Sequence, residues 1–160
     1  MGTTPSEDWI ALLDLVTRYS RGLDTKDYEL VKTVFAPDCL MVYDFSDLGV
    51  SGDILTYHSA DEIAEDSRRI HAPLRTLHQN GNYYFDIDGS AAIGRVYCDL
   101  YQVRPADDHP VGVHRLGWYD DAYLKIDGSW FIKERIWKPT WNEGEWIGGR
   151  PILADEAGKV

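Results

Sequence analysis

Apolar side chains recur every three to four residues through the first part of the chain and every second residue through the rest. The series Trp9, Leu12, Leu13, Val16, Ser20 and Leu23 follows the 3.6-residue repeat of an amphipathic helix. Ser6 is placed to cap it, Glu7 and Asp8 suit its positive end, and Gly22 offers an exit near residues 21–23. A second, shorter helix is predicted over residues 27–35, with Leu30, Val31, Val34 and Phe35 inward and Pro37 ending it. Residues 39–43 read as a short strand, and residues 44–52 as an acidic loop. The sequence Ser59-Ala-Asp-Glu62 is a capping box, opening a third helix to about Ile70 with Ile63 inside; Pro73 bars its continuation.

Beyond Pro73 the period changes to two. Residues 74–79, 83–87, 91–103, 113–126 and 130–138 are strand candidates rich in β-branched and aromatic side chains. Asp88-Gly89 and Asp127-Gly128 mark tight hairpins, and residues 104–112 form a longer surface connection. Helices followed by a run of strands predict an α+β domain, a curved sheet with helices on one face. Residues 1–138 are read as that domain. Residues 139–160 are read as an irregular segment whose Trp141, Trp146 and Ile147 dock on a pocket mouth or a neighbouring subunit.

Composition narrows the function classes. The chain has 160 residues, the size of one domain, and 16 Lys+Arg against 27 Asp+Glu give a net charge of −11. Such a surface repels phosphate backbones and anionic bilayers, so nucleic acid and membrane are not expected partners. Cys39 and Cys98 have neither the spacing of a zinc site nor that of a disulfide framework, and residues 1–8 lack a basic region followed by an apolar run. The expected compartment is therefore a reducing cytoplasm. Six Trp, ten Tyr and four Phe are unusual, and most of these rings carry a polar tip suited to lining a ligand cavity.

No phosphate loop, nucleophile elbow, zinc-protease helix or dinucleotide fingerprint is present, and the five histidines have no metal-ligand spacing. Asp86-x-Asp88-Gly89 lacks the later glutamate of a calcium loop and reads as a turn. Asp24 follows the first helix, Tyr43 ends the first short strand, and His78 lies on the strand after the third helix. Each alone is ordinary: an aspartate after a helix is commonly a turn residue, and a lone strand histidine commonly structural.

Three segments change their weight. Tyr19-Ser-Arg-Gly-Leu-Asp24-Thr-Lys-Asp-Tyr28 with Phe35-Ala-Pro-Asp38, Leu74-Arg-Thr-Leu-His78, and the hairpin from Gly117 to Phe131 containing Lys-Ile-Asp-Gly-Ser-Trp130 together resemble the scytalone dehydratase and SnoaL-like branch of the nuclear transport factor 2-like superfamily. The hairpin also resembles that of bile acid 7α-dehydratase. The resemblance spans roughly residues 9–141. It implies a cone-shaped, strongly curved mixed or antiparallel sheet with three N-terminal helices on its concave face.

By that resemblance His78 is a general base oriented by Asp24, Tyr43 polarises a substrate oxygen through water, and Tyr19 belongs to the catalytic set. The types suit the task, because a carboxylate on one imidazole nitrogen fixes the tautomer and favours the cation formed when the other takes a proton. There are departures. Val96 stands where scytalone dehydratase has a second histidine, Gly117 and Tyr119 replace its pocket serine and asparagine, and the catalytic aspartate of bile acid 7α-dehydratase falls at Leu100. Strand alternation then lines the pocket with Val96, Cys98, Leu100 and Tyr119, and turns Arg95, Tyr97 and Asp99 away. Trp141 is a further candidate lining residue. His114 and Arg115 could reach the cavity, though a loop or interface role suits them better.

The expectation is a cofactor-independent lyase of the dehydratase type acting on a hydrophobic cyclic or aromatic carbonyl compound. An isomerase, a cyclase, or a non-catalytic small-molecule-binding or scaffold subunit are the alternatives on the same fold. Aromatics on the outer sheet face, Tyr97 and Tyr101 among them, imply a homo-oligomer, with a trimer first by resemblance and a dimer second.

Overall fold

The structure is a computed structural model that describes residues 5–48, 55–105 and 111–144. Helix α1 (Pro5–Thr25) buries Leu12, Leu15, Val16, Tyr19 and Leu23 almost completely. The buried arc is wider than the stripe read from sequence: it adds Leu15 and Tyr19, while Trp9 stays at the margin, edge-on to Phe85. Gly22 is no exit. The helix runs one turn further, and a Cβ at Gly22 would lie 2.7 Å from Val31 Cγ2, so the glycine lets α2 pack closely. Lys26, at φ 65°, makes the turn instead.

Helix α2 (Tyr28–Lys32) is a single turn whose cap, Asp27, accepts from the Leu30 amide. Strand β1 (Phe35–Tyr43) begins earlier than expected. Phe35 already pairs with Ile132, and Pro37 lies inside the strand, at the irregular stretch between Phe35 and Leu40 where a missing N–H is tolerated. A 3₁₀ turn (Ser46–Leu48) and strand β2 (Leu55–Tyr57) follow; β2, absent from the sequence reading, is only three residues long and pairs with β1. Helix α3 (Ala60–His71) is capped as expected, with Ser59 Oγ accepting from the Glu62 amide and Glu62 Oε2 accepting from the His58 amide.

The remaining strands are β3 (Arg75–Asp88), β4 (Ala91–Arg104), β5 (Val111–Ile126) and β6 (Ser129–Gly144). The two strand candidates at 74–79 and 83–87 are one strand, interrupted by a bulge between Gly81 and Tyr84 with Asn82 at φ 47°. Strand β6 carries on to Gly144, so residues 139–144 belong to the sheet and not to an irregular tail; Trp146 and Ile147 lie outside the described residues. Sheet order is β2-β1-β6-β5-β4-β3, with β1 and β6 parallel and every other neighbour antiparallel. The result is the expected α+β cone: among the described residues, three α-helices and an open, six-stranded mixed sheet. The core lies between α1 and the inner sheet face, where Leu12, Val16 and Tyr19 meet Val96, Tyr119, Ile132 and Trp137.

Candidate active site

Asp24 sits in the last turn of α1, facing the start of β3. His78 projects inward from β3 with its side chain 2% exposed. One carboxylate serves two donors: the His78 backbone N–H donates to Asp24 Oδ2 at 2.9 Å, and ring Nδ1 lies 2.6 Å from Oδ1. The backbone contact fixes the carboxylate, and the fixed carboxylate places the proton on Nδ1. Nε2 is then the basic nitrogen, and among the described residues it has no hydrogen-bond partner. Partial burial works to raise the Asp24 pKa, but hydrogen bonds and charge from His78 outweigh it and hold the carboxyl below its usual value.

Tyr19 is buried beneath this end of α1, its hydroxyl 3.8 Å from Met41 Sδ. Burial pushes its pKa up to about 12, with the Arg135 charge pulling the other way. Tyr43 projects from the end of β1 between Phe45 and Tyr57; burial raises its pKa too, and its hydroxyl interacts with that of Tyr19. Both phenols are therefore neutral donors at ordinary pH. Val96, Cys98, Leu100 and Tyr119 are all buried on this inner face, while Arg95, Tyr97 and Asp99 turn outward as alternation requires. Burial lifts the Cys98 thiol to about 12, so it is a wall and not a nucleophile.

Trp141 is not gathered with the others. It stands on the outer face, 42% exposed, opposite Leu116 and edge-on to His114. His114 is on that outer face as well, its Nε2 2.5 Å from Asp99 Oδ1 and its ring stacked on Tyr101. Arg115 does point inward, held by Gln102 Oε1 at 2.6 Å and Asn142 Oδ1 at 3.0 Å. Two open grooves, about 650 and 390 Å³, involve outward residues such as Tyr84, Tyr97 and Trp118; neither contains Asp24 or His78, which meet on the helix-packed side.

Three residues of the interior escaped the sequence reading. Arg135 is completely buried, its guanidinium 4.4 Å from the ring centres of both Tyr19 and Tyr119. Its Nε and Nη2 donate to the two Asp121 oxygens at 2.8 and 2.7 Å, whereas Nη1 is buried with no hydrogen-bond partner among the described residues. Burial alone would lower its pKa; Asp121 more than offsets that, and the group stays charged. Alternation counted from Trp130 puts Arg135 outward. The irregularity pairing Ala122 with Glu134 but Tyr123 with Ile132 shifts the phase and turns it in.

His71 supplies a second imidazole, its ring centre 6.3 Å from that of His78. Ile63, Ser67 and His71 are four residues apart on one buried helix face, a signal lost by ending the helix at Ile70. Asn80, two residues beyond His78 on the same face, donates to Ser20 Oγ at 2.7 Å, and its buried Oδ1 has no partner among the described residues. No group of three or more metal-ligating side chains occurs among the described residues.

Known structures with this architecture are many. A scytalone dehydratase-like protein from Novosphingobium aromaticivorans superposes with a TM-score of 0.72 at 22% identity, over 88% of this chain and 89% of that one. A hexachlorocyclohexane dehydrochlorinase (LinA, type 2) does so with a TM-score of 0.68 at 14% identity, over 88% and 90% of the two chains. The β subunit of an aromatic-ring-hydroxylating dioxygenase from N. aromaticivorans gives 0.66 at 20% identity, over 82% and 88%. These likenesses establish the fold. The family model of the SnoaL-like domain matches residues 5–136, nearly the whole described chain, and the protein belongs to the SnoaL-like family.

Proposed function

We propose that the protein is a cofactor-independent lyase of the dehydratase type, acting on a small hydrophobic cyclic or aromatic carbonyl compound with a hydroxyl one carbon further on. The observation that carries this reading is the Asp24 carboxylate on Nδ1 of a buried His78 whose Nε2 has no partner among the described residues. In the proposed reaction Nε2 removes a proton from the carbon beside the carbonyl, and Asp24 stabilises the imidazolium that results. Tyr43, with Tyr19 second, donates to the enolate-like oxygen, and Arg135 Nη1 is a further buried donor on the same inner face. A positioned base contributes on the order of 10²–10⁴-fold, and each donor aimed at a developing oxyanion about 3 kcal/mol.

The acidic surface fits an uncharged substrate, and a cytoplasmic site of action is part of the same proposal. So is self-association through the outer face, a trimer before a dimer. No helix among the described residues is long and apolar enough to cross a membrane. The dioxygenase β subunit shares the fold, and this favours a non-catalytic scaffold role as the second reading.

One experiment separates them. Cyclic β-hydroxy ketones are incubated with wild type, His78→Ala and Asp24→Asn, and the conjugated enone is followed by its ultraviolet absorbance. The lyase reading expects turnover that His78→Ala abolishes, together with a His78 ring ¹⁵N resonance that moves in Asp24→Asn. Turnover equal in His78→Ala, or a His78 ring resonance indifferent to Asp24→Asn, would overturn it.

A further inference from the structure

The interior holds a buried titratable group that the proposed base chemistry leaves unused. His71 is 6% exposed, and its Nδ1 donates to the Ser67 carbonyl at 2.9 Å, within its own helix. That bond fixes the tautomer and leaves a lone pair on Nε2, which has no hydrogen-bond partner among the described residues. His78 is constrained in the same sense, with Nδ1 committed to Asp24. Each imidazole therefore has one nitrogen without a partner among the described residues, and in each it is Nε2.

The spacing of the rings decides what can sit between them. Two imidazoles in a direct N–H···N hydrogen bond have ring centres about 5 Å apart, whereas one oxygen bridging them at ordinary hydrogen-bond lengths gives about 6–7 Å. The observed separation is 6.3 Å, with the rings tilted by 45°. It is too wide for a direct bond and matches a single shared oxygen.

We infer that His71 is a substrate-positioning residue: its Nε2 accepts the hydrogen bond of the leaving hydroxyl and holds that oxygen within reach of His78 Nε2. The inference rests on the lyase reading and specifies its substrate as a β-hydroxy ketone whose hydroxyl lies on the same ring face as the abstracted proton. Burial, then the nearby His78 charge, holds the His71 pKa down at about 4, with Lys26 adding to the depression and Asp66 opposing it. A neutral acceptor is what such a role requires, since an imidazolium there would repel protonated His78.

The step balances without a co-reactant. His78 Nε2 takes the proton from the carbon beside the carbonyl, and the C–H electron pair passes into the enolate. The enolate then re-forms the carbonyl and the C=C bond as the C–O bond breaks, and the departing oxygen takes the proton from His78. Water leaves with that proton and with its own, which is the one bonded to His71. His78 returns to its neutral form.

The test compares racemic 3-hydroxycyclohexanone with cyclohexanone, which lacks only the hydroxyl. Both are titrated into protein carrying ¹⁵N-histidine, and the Nε2 resonances of His71 and His78 are followed in wild type, His71→Phe and His71→Gln. The hydroxy ketone is expected to move both resonances and to bind wild type about tenfold more tightly than cyclohexanone. His71→Phe should erase that preference without weakening cyclohexanone, and His71→Gln, whose side-chain carbonyl accepts a hydrogen bond, should restore most of it. A His71 resonance unmoved by the hydroxy ketone in wild type, or a preference that survives in His71→Phe, would overturn this inference alone. If neither ketone moves the His78 resonance, the lyase reading falls and takes this one with it.

Discussion

Each ionisable side chain of the interior has a charge state set by its neighbours, and several of these have measurable consequences. His71 is held neutral, with a pKa near 4 against a usual value of 6.5. Between those values the unfolded chain binds a proton that the folded chain refuses, so stability falls as the pH drops from about 6.5 towards 4. The full effect is on the order of 3 kcal/mol. Urea midpoints for wild type should decline across that window, and His71→Gln should flatten the decline. Asp24 adds a second loss at lower pH: its depressed pKa stabilises the fold above 3.8 and ceases to do so as the pH falls below that value. Arg135 and Asp121 present the opposite situation, two charges wholly removed from water and compensated by each other. In Arg135→Met the carboxylate is left behind with the Tyr123 hydroxyl, at 2.6 Å, as its remaining side-chain partner among the described residues. Chemical denaturation should show a loss of about 3–5 kcal/mol, against much less in the double variant with Asp121→Asn. A single loss no larger than the double one would show that the pair is not coupled.

At the level of elements, the helices were legible because their signals are local. The capping box at Ser59, the stripe on α1 and the stop at Pro73 each depend on residues within a turn or two. The strands were legible as strands, but their phase was not. Bulges at Gly81/Tyr84, Leu116/Gly117 and Ala122/Tyr123 insert single residues that reverse which side chains face inward. Arg135 entered the site because alternation was interrupted between it and Trp130, from which it was counted, whereas Trp141, read as part of an irregular segment, lies on the outer face of β6 where the strand continues past residue 138. Gly117 marks one of these places. A Cβ there would come 2.3 Å from the Lys138 carbonyl oxygen, a backbone atom that cannot swing aside. Gly117→Ala should therefore cost on the order of 1–3 kcal/mol by overpacking and reduce amide protection along β5 and β6. Unchanged stability would mean that the strands can separate locally at no cost.

The whole molecule presents two unlike sheet faces. The inner one is covered by helices; the outer one carries Tyr84, Ile93, Tyr97, Tyr101, Leu116 and Trp141, each 39–58% exposed. Large apolar side chains gathered on one sheet face are the kind of surface that self-association covers. Light scattering coupled to size exclusion should give an oligomer at micromolar concentration, and Leu116→Asp should shift it towards monomer while leaving the helix-packed site intact. A wild-type monomer under those conditions would refute the oligomer.

The sequence by itself determined the α+β architecture, the three helices, the hairpins and the residues of the Asp24–His78 pair, since periodicity, caps and turns are written in short windows and the remaining signal came from resemblance. Tertiary structure decided which side chains share a space. Asp24 reaches His78 only because α1 ends beside the start of β3, and His71 joins them only because α3 ends one residue later than its pattern suggests. Arg135 lies between Tyr19 and Tyr119 only because a bulge rotates it inward. Such meetings depend on packing between elements distant in the chain, and on strand phase that a single inserted residue reverses. Neither is encoded in any short stretch of sequence.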